Sequence, residues 1–538
     1  GRGNYICKLR MENTNQEGMF YNKEDAKHLN LIKAFSDNTD SGEVSEIKQI
    51  PETSTIWPMV TSTKENCLGQ DCEFYKECFV VKARKEALES EVLIVNHHLF
   101  FADFVLKDEE LSEILPKANT IIFDEAHQVP LVASFFLGQF ISSSQISNLI
   151  QDCQQGLVKY PDTIQALDSL SKDLQENIFE LKKIISPTST RLNINNLKDY
   201  ENFKETYSSL IEKLTLLGIT LSKHSEENVE FQKLFERSTE LNIKFDSWLK
   251  KDNQNNIYWL EVFARTIQFN ETPISIAEQF NKFQKKSDSA WIFTSATLSI
   301  NGSFEHFTKL LGLEEAKTQY LQSPFNYNEN AFLYVPKEIP DPKDELFNLV
   351  LVKKVLPLIK ASKGRAFVLA TSLKSMQEIG ALLKDELKKN EIDYPVITQG
   401  EGPKSDLLHQ FKKHGNAVLI GSLSFWEGID VRGPALSLVI IDKLPFQSPG
   451  DPVFESKIKL LSDEGINAFM SMQLPEAIIK LKQGVGRLIR DDNDKGVMVI
   501  CDKRIIEKSY GIKIWKSLPA FKRTRNESAV INFLEELE

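Results

Sequence analysis

The sequence predicts an α/β protein built around parallel sheets, and three observations carry that prediction. Short apolar runs stop abruptly at polar residues, as buried parallel strands do. Thr120-Ile121-Ile122-Phe123 runs into Asp124-Glu125-Ala126-His127, and Ala290-Trp291-Ile292-Phe293 runs into Thr294-Ser295-Ala296-Thr297. From about residue 325 onward such runs alternate with amphipathic helical patterns, which is the rhythm of a parallel sheet covered by helices. The stretch 141–270 has a different texture: Leu and Ile recur every three or four residues among polar ones, which predicts a helical insertion.

Size and composition bound the rest. A chain of 538 residues is too long for one core, so three or four folded units are expected. Hydrophobic residues make up 41% and charged residues 26%, an ordinary soluble composition. No run approaches the roughly 20 apolar residues of a membrane span. The opening Gly1-Arg2-Gly3-Asn4-Tyr5 has no apolar stretch of a secretory signal, and the reading is a soluble cytoplasmic protein with no membrane partner. A net charge of -11 argues against a generic nucleic-acid coat, although a local stripe of Lys and Arg is enough to hold phosphates. Six cysteines are too sparse for a disulfide framework, yet four of them fall within the first 78 residues.

In chain order, residues 1–80 are polar and carry Cys7, Cys67, Cys72 and Cys78. Val92-Leu93-Ile94-Val95 reads as a strand, followed by the strand at 120–123. The insertion shows its helical period in Ile164, Leu167, Leu170 and Leu174. After the strand at 290–293, further strands are expected at 366–370, 417–420, 438–441 and 496–500. Helices are expected near 345–360, 373–389 and 475–489.

Four segments carry chemistry. Asp124-Glu125 directly follows a strand, where one carboxylate can hold Mg²⁺ through water and the next polarise an attacking water. Thr294-Ser295-Ala296-Thr297 caps another strand. In Gln483-Gly484-Val485-Gly486-Arg487-Leu488-Ile489-Arg490, two arginines three apart would share a helical face, with Gln483 one turn back. Such a pair can clamp a polyphosphate. Ser424-Phe425-Trp426-Glu427-Gly428-Ile429-Asp430 joins aromatic rings, a glycine and two carboxylates after a strand. The four clustered thiols can hold either Zn²⁺ or a [4Fe–4S] cluster. They lack the two tight pairs usual for structural zinc. Cys153 and Cys501 have no such company, and Cys501 extends an apolar strand as a small core residue.

The order of these segments resembles motifs II, III, V and VI of superfamily 2 helicases: Asp124 to His127, Ser295 to Leu298, Glu427 to Asp430, and Gly486 to Arg490. Ala366 to Ser372 looks like motif IV. Four cysteines ahead of the Asp-Glu-Ala-His strand look like the iron–sulfur module of the XPD-like helicases. Gly1 to Cys7, Val95-Asn96-His97-His98-Leu99 and Ile441 to Phe446 are similar to the bacterial DinG/YoaA group, and 421–452 and 481–502 lean toward its YoaA branch.

The resemblance implies two RecA-like parallel-sheet motor domains with an iron–sulfur insertion and an α-helical arch insertion. Residues 1–80 take the place of the iron–sulfur module, 81–140 and 271–324 an N-terminally incomplete motor domain 1, 141–270 the arch, and 325–538 motor domain 2. It implies ATP-driven 5′–3′ unwinding of single-stranded or forked DNA in repair and replication, by a monomer partnered with a replication or single-strand-binding protein. Asp124, Glu125, Arg487 and Arg490 take catalytic roles on ATP and Mg²⁺. His127, Gln483, Gly486, Glu427, Gly428 and Asp430 face the nucleotide, and Cys7, Cys67, Cys72 and Cys78 hold the [4Fe–4S] cluster. Lys82, Arg84, Lys85, Asn96, His97 and Trp426 line the DNA path, although a solvated helix face explains the first three equally well. One departure is large: no Gly-x-x-x-x-Gly-Lys-Ser/Thr loop occurs, and its backbone N–H groups are what cradle a nucleotide's phosphates. Gly400 to Ser405 is an echo spoiled by Pro403. The expectation is an N-terminally truncated helicase fragment without its own ATPase activity; the alternative is a non-catalytic iron–sulfur scaffold for DNA or a protein partner.

Overall fold

The computed structural model describes residues 2–17, 23–51, 54–63, 66–108, 115–156, 161–185, 191–223, 229–251, 253, 255–263, 266–422, 425, 431, 433–448 and 450–537. Two compact units emerge. One comprises Gly1–Phe123, Val129–Ile276 and Gln284–Ile292; the other comprises Asp124–Gln128, Ala277–Phe283 and Phe293–Glu538.

The first unit begins with the cysteine-bearing module. Its small core joins Ile6, Met11, Ile32, Ile56, Val60 and Phe79. Gly42 has a φ of 67°, and a Cβ there would meet the Phe79 ring at 2.2 Å, so this turn accepts only glycine. The strands are numbered in chain order. β1 (Thr120–Phe123) pairs with β6 (Ala290–Phe293) in a two-stranded sheet. Val92 to Val95, expected as a strand, is irregular and strongly exposed, with Ile94 93% accessible. A four-residue apolar run becomes a strand only where another strand takes up its backbone groups, and among the described residues none pairs with it.

The insertion is helical as expected, in Ser143–Gly156, Pro161–Ile185, Tyr200–Ser222 and Val229–Lys250. Leu167 and Leu174 are fully buried on the predicted face. It also holds strands that the helical reading passed over. β2 (Gln139–Ser142), β5 (Ile267–Pro273), β4 (Asn256–Val262) and β3 (Arg191–Asn193) form an antiparallel sheet in that order. Its signal was local: Ile257, Tyr258, Trp259 and Leu260 are β-branched or bulky, and all are buried. Sheet and helices share one core, in which Tyr207 donates to the Phe245 carbonyl and Trp248 to the Asn270 carbonyl, both at 3.0 Å.

The second unit is a seven-stranded sheet whose described pairings are all parallel. Its strands are β7 (Ala331–Tyr334), β8 (Ala366–Ala370), β9 (Val396–Thr398), β10 (Val418–Ser422), β11 (Leu438–Ile441), β12 (Gly496–Ile500) and β13 (Lys522–Thr524). They lie in the order β13-β7-β12-β11-β8-β10-β9. Both faces are covered. Phe367, Leu369, Leu419, Val439 and Met498 point into one core, and Val368, Ile420, Ile440, Val497 and Val499 into the other. Helices Phe347–Ala361, Leu373–Lys389 and Leu474–Val485 occupy the expected places.

After β8 the chain adds β9 and β10 on one side and β11 and β12 on the other, so the topology switches between β8 and β11. Asp442, wholly buried, closes that point. Its Oδ1 accepts the Thr371 N–H at 3.0 Å and the Lys443 N–H at 2.7 Å; its Oδ2 accepts the Thr371 and Ser375 hydroxyls at 3.2 and 3.1 Å. Burial pushes its carboxyl up to about 6 despite these donors.

A carboxyl raised in the folded state favours folding at low pH, and that contribution fades as pH rises through about 6. Asp442→Asn keeps the shape and removes the titration. Its stability relative to the parent, read from urea midpoints, should therefore improve between pH 4.5 and pH 7.5. An unchanged difference would contradict this placement.

Candidate nucleotide site and cysteine cluster

The nucleotide-type site is built within the second unit from three segments far apart in sequence. β1 ends at Phe123, and the chain turns through Asp124 and Glu125 into a short 3-10 turn at Ala126–Gln128. Glu125 has a φ of 47°, a left-handed conformation costly for a residue with a side chain. The turn is held by partners that follow β6. Ala126 N–H donates to the Thr294 carbonyl at 2.9 Å, and the Thr294 hydroxyl donates to Asp124 Oδ1 at 3.3 Å. The Ser295 hydroxyl donates to Glu125 Oε2 at 3.1 Å.

His127 is the centre of the arrangement. Its Nδ1 lies 3.0 Å from Ser295 Oγ and 3.3 Å from Glu125 Oε2. Its Nε2 meets the side-chain amide nitrogen of Gln483. The imidazole has a polar partner at each ring nitrogen, Gln483 at Nε2 and Ser295 with Glu125 at Nδ1. A continuous chain of polar groups thus runs from Gln483 through His127 to Glu125 and Ser295. The hydrogen bond from His127 is the main influence holding the Glu125 carboxyl below its usual range; Ser295 and the charge of Arg487 act the same way, against burial. Glu125 is therefore ionised at neutral pH.

The two arginines do not share a helical face, as the sequence reading expected. The helix ends at Val485 with Gly486 at its C-cap. Arg487 N–H turns back to the Gly484 carbonyl at 3.2 Å, and Asp494 Oδ2 accepts the Arg490 and Asp491 N–H groups at 2.8 and 2.9 Å. Two glycines within four residues make leaving the helix inexpensive, and Asp494 gathers the N–H groups beyond it. Arg487 still lies within electrostatic reach of Glu125. Trp426, Glu427, Gly428 and Asp430 lie outside the described residues.

In the first unit Cys7, Cys67, Cys72 and Cys78 are all free and partly exposed. Cys7 feels the charges of Cys67 and Cys72, and Cys72 those of Cys67 and Cys78. Burial pushes the Cys7 and Cys72 thiols up, so a cation that binds thiolates would offset a real desolvation cost. Among the described residues no three His, Cys, Asp or Glu side chains converge closely enough to hold a metal ion. The donor chemistry fits a four-thiolate site, and its side chains stand wider than a ligated set.

The proposed DNA contacts fall in differing settings. Lys82 donates to the Asp40 carbonyl at 2.8 Å and to its carboxylate at 3.1 Å, while Lys85 is exposed. Arg84 lies within reach of Cys67 and Cys78, and burial, with Arg2 nearby, lowers its pKa. Asn96 accepts the Leu99 N–H at 2.8 Å, which caps the helix His97–Asp108. His97 packs tilted on Phe123, ring centres 5.9 Å apart. The buried bonding of Asp442 to Thr371 and Ser375 is not foreseen by the sequence, although the segments Ile441 to Phe446 and Ala366 to Ser372 stand out there for their resemblance.

A double-mutant cycle tests the chain of polar groups. His127→Ala and Gln483→Ala should be non-additive in urea unfolding by about 0.5 kcal/mol or more, as contacting residues are. Additivity would mean that the two do not interact.

Comparison with known proteins identifies the family. Residues 355–521 match the helicase C-terminal domain family. The chain is 38% identical to the ATP-dependent DNA helicase YoaA of Haemophilus influenzae and 39% identical to that of Escherichia coli, over 99% of this chain and 83% of each relative. It is 26% identical to the 3′-5′ exonuclease DinG of Bacillus subtilis, over 96% of this chain and 61% of that protein. A solved XPD helicase shares the fold with a TM-score of 0.53 at 18% identity, over 84% of this chain and 77% of that one. Among the described residues no helix is long and apolar enough to cross a membrane. By sequence, the chain belongs to the DinG/YoaA family of ATP-dependent DNA helicases, and it shares the fold of a solved XPD helicase.

Proposed function

We propose that this protein works as an ATP-dependent 5′–3′ DNA helicase in the repair and replication of damaged or structured DNA, and that these 538 residues alone turn over little ATP. The observation that carries the reading is the polar chain Ser295–Glu125–His127–Gln483. It joins the residue suited to orient water to the segment that carries Arg487 and Arg490. In this reading Asp124 takes the Mg²⁺ of the nucleotide and Glu125 orients the attacking water. Arg487 and Arg490 face the phosphates, with Gly486, Glu427, Gly428 and Asp430 alongside. Phosphoryl transfer is mainly positioning and charge neutralisation. The low turnover follows from the absence of a Gly-x-x-x-x-Gly-Lys-Ser/Thr loop in the sequence, without which few backbone N–H groups meet the phosphates.

Cys7, Cys67, Cys72 and Cys78 would hold a [4Fe–4S] cluster, which when bound cross-links segments sixty residues apart in the sequence. The module then comprises residues 1–80, motor domain 1 comprises 81–140 and 271–324, the arch 141–270, and motor domain 2 325–538. Single-stranded DNA passes Lys82, Arg84, Lys85, Asn96, His97 and Trp426. The protein acts in the cytoplasm as a monomer, beside a replication or single-strand-binding protein.

Anaerobically purified protein should be brown, with absorption near ~400 nm; a colourless, zinc-loaded protein would overturn the cluster. Single-stranded DNA should bind with an affinity that falls as salt rises, while DNA-stimulated ATP hydrolysis stays near background. Vigorous hydrolysis would overturn the low-turnover reading.

A further inference from the structure

We propose that Asp152 is a positioning residue whose carboxylate, clamped between Arg10 and Arg237, seats the segment bearing Cys7 on the helical insertion and so sets the shape of the four-thiol site. Arg10 lies in the first turn of helix Lys8–Glu17, directly after Cys7. Cys7 immediately precedes this helix, and its carbonyl accepts the Met11 N–H at 2.9 Å. Arg10 Nη2 donates to the Pro58 carbonyl at 3.0 Å, within helix Trp57–Val60, and the Val60 carbonyl accepts the Cys7 N–H at 2.8 Å. Cys7 and Arg10 are thus both anchored on the helix Trp57–Val60, and Arg10 is the residue that reaches into the insertion.

That reach is an ion pair across 142 residues of sequence: Arg10 Nη1 donates to Asp152 Oδ1 at 3.1 Å. The other carboxylate oxygen accepts from Arg237 Nη1 at 2.7 Å. The three side chains are 14%, 12% and 11% exposed, so salt screens them little. They tie helix Lys8–Glu17 to helices Ser143–Gly156 and Val229–Lys250. Cys153, fully buried beside Asp152, anchors that turn in the insertion's apolar core.

The arrangement does more than add stability. Two guanidinium groups converge here only because a carboxylate lies between them; without it, two like charges face each other in a poorly hydrated place. An apolar contact tolerates sliding, whereas two charged hydrogen bonds to opposite oxygens of one carboxylate admit one register. Any displacement of helix Lys8–Glu17 on the insertion moves Cys7 relative to the other three thiols. What the seat serves rests on the four-thiol reading above; the seat itself stands on these contacts alone.

The test compares the full chain with Asp152→Asn, which removes the charge, and Asp152→Glu, which keeps it. In protein stripped of metal, Asp152→Asn should exchange amide hydrogens at least about ten-fold faster in residues 8–17 and in 229–250 together, a modest share of what breaking a buried ion pair costs. Exchange in the second unit should not change, and Asp152→Glu should restore protection. Unchanged exchange in either segment overturns the seat. In cluster-loaded protein, a ferrous-iron chelator should strip Asp152→Asn several-fold faster than the parent at equal unfolding midpoints. Equal rates overturn the claim that the seat serves the thiols. If no cluster ever assembles, the cluster reading fails, and hydrogen exchange still decides the seat.

Discussion

Burial of the seven-stranded sheet on both faces is the constraint on which the second unit depends. Val418, Leu419, Ile420, Val439, Ile440, Val497, Met498 and Val499 are completely enclosed, so no polar side chain fits along these strands without losing its water. Polar groups are confined to strand ends, where backbone N–H groups and helix starts can satisfy them. Asp442 stands one residue beyond β11, and Thr371 one residue beyond β8. Cys501 and Asp502 follow β12, where Asp502 accepts the Leu444 N–H at 2.9 Å and pairs with Arg504.

This explains why so much of the fold was legible in the sequence. A strand enclosed on both faces must read as an unbroken apolar run, and 366–370, 438–441 and 496–500 match their strands residue for residue. Helices at 347–361 and 373–389 also lie where the pattern put them. The sheet of the insertion was less legible because β3 has only three residues and β2 four, each too short to set a period. Val92 to Val95 shows the converse: strand-forming composition alone does not make a strand, and among the described residues no neighbour pairs with this run.

The candidate site was legible in its parts but not in its geometry. Asp-Glu-Ala-His and Ser-Ala-Thr can be recognised as short strings, yet nothing in them says that His127 touches Gln483 356 positions away. That contact depends on the fold bringing three segments together. The arginines mark the limit of periodic reasoning. Spacing by three implies a shared face only while the helix lasts, and Gly484 and Gly486 let it end at Val485. Asp152 carried no motif at all. A single acid in an amphipathic helix looks like any solvated residue until two arginines from distant segments are folded onto it.

Glu125 and Asp152 then illustrate two uses of a carboxylate. Glu125 remains 58% exposed in a left-handed backbone and is held by Ser295 and His127, so its charge stays open to solvent. Asp152 is 12% exposed and engages both oxygens with guanidinium groups. A buried ion cluster gains little over apolar packing of equal volume. What it adds is intolerance of any other register, which is what a module built on a small core of its own needs where it meets a larger neighbour. At both carboxylates the neighbours within hydrogen-bond reach, rather than the net charge of -11, set the local environment.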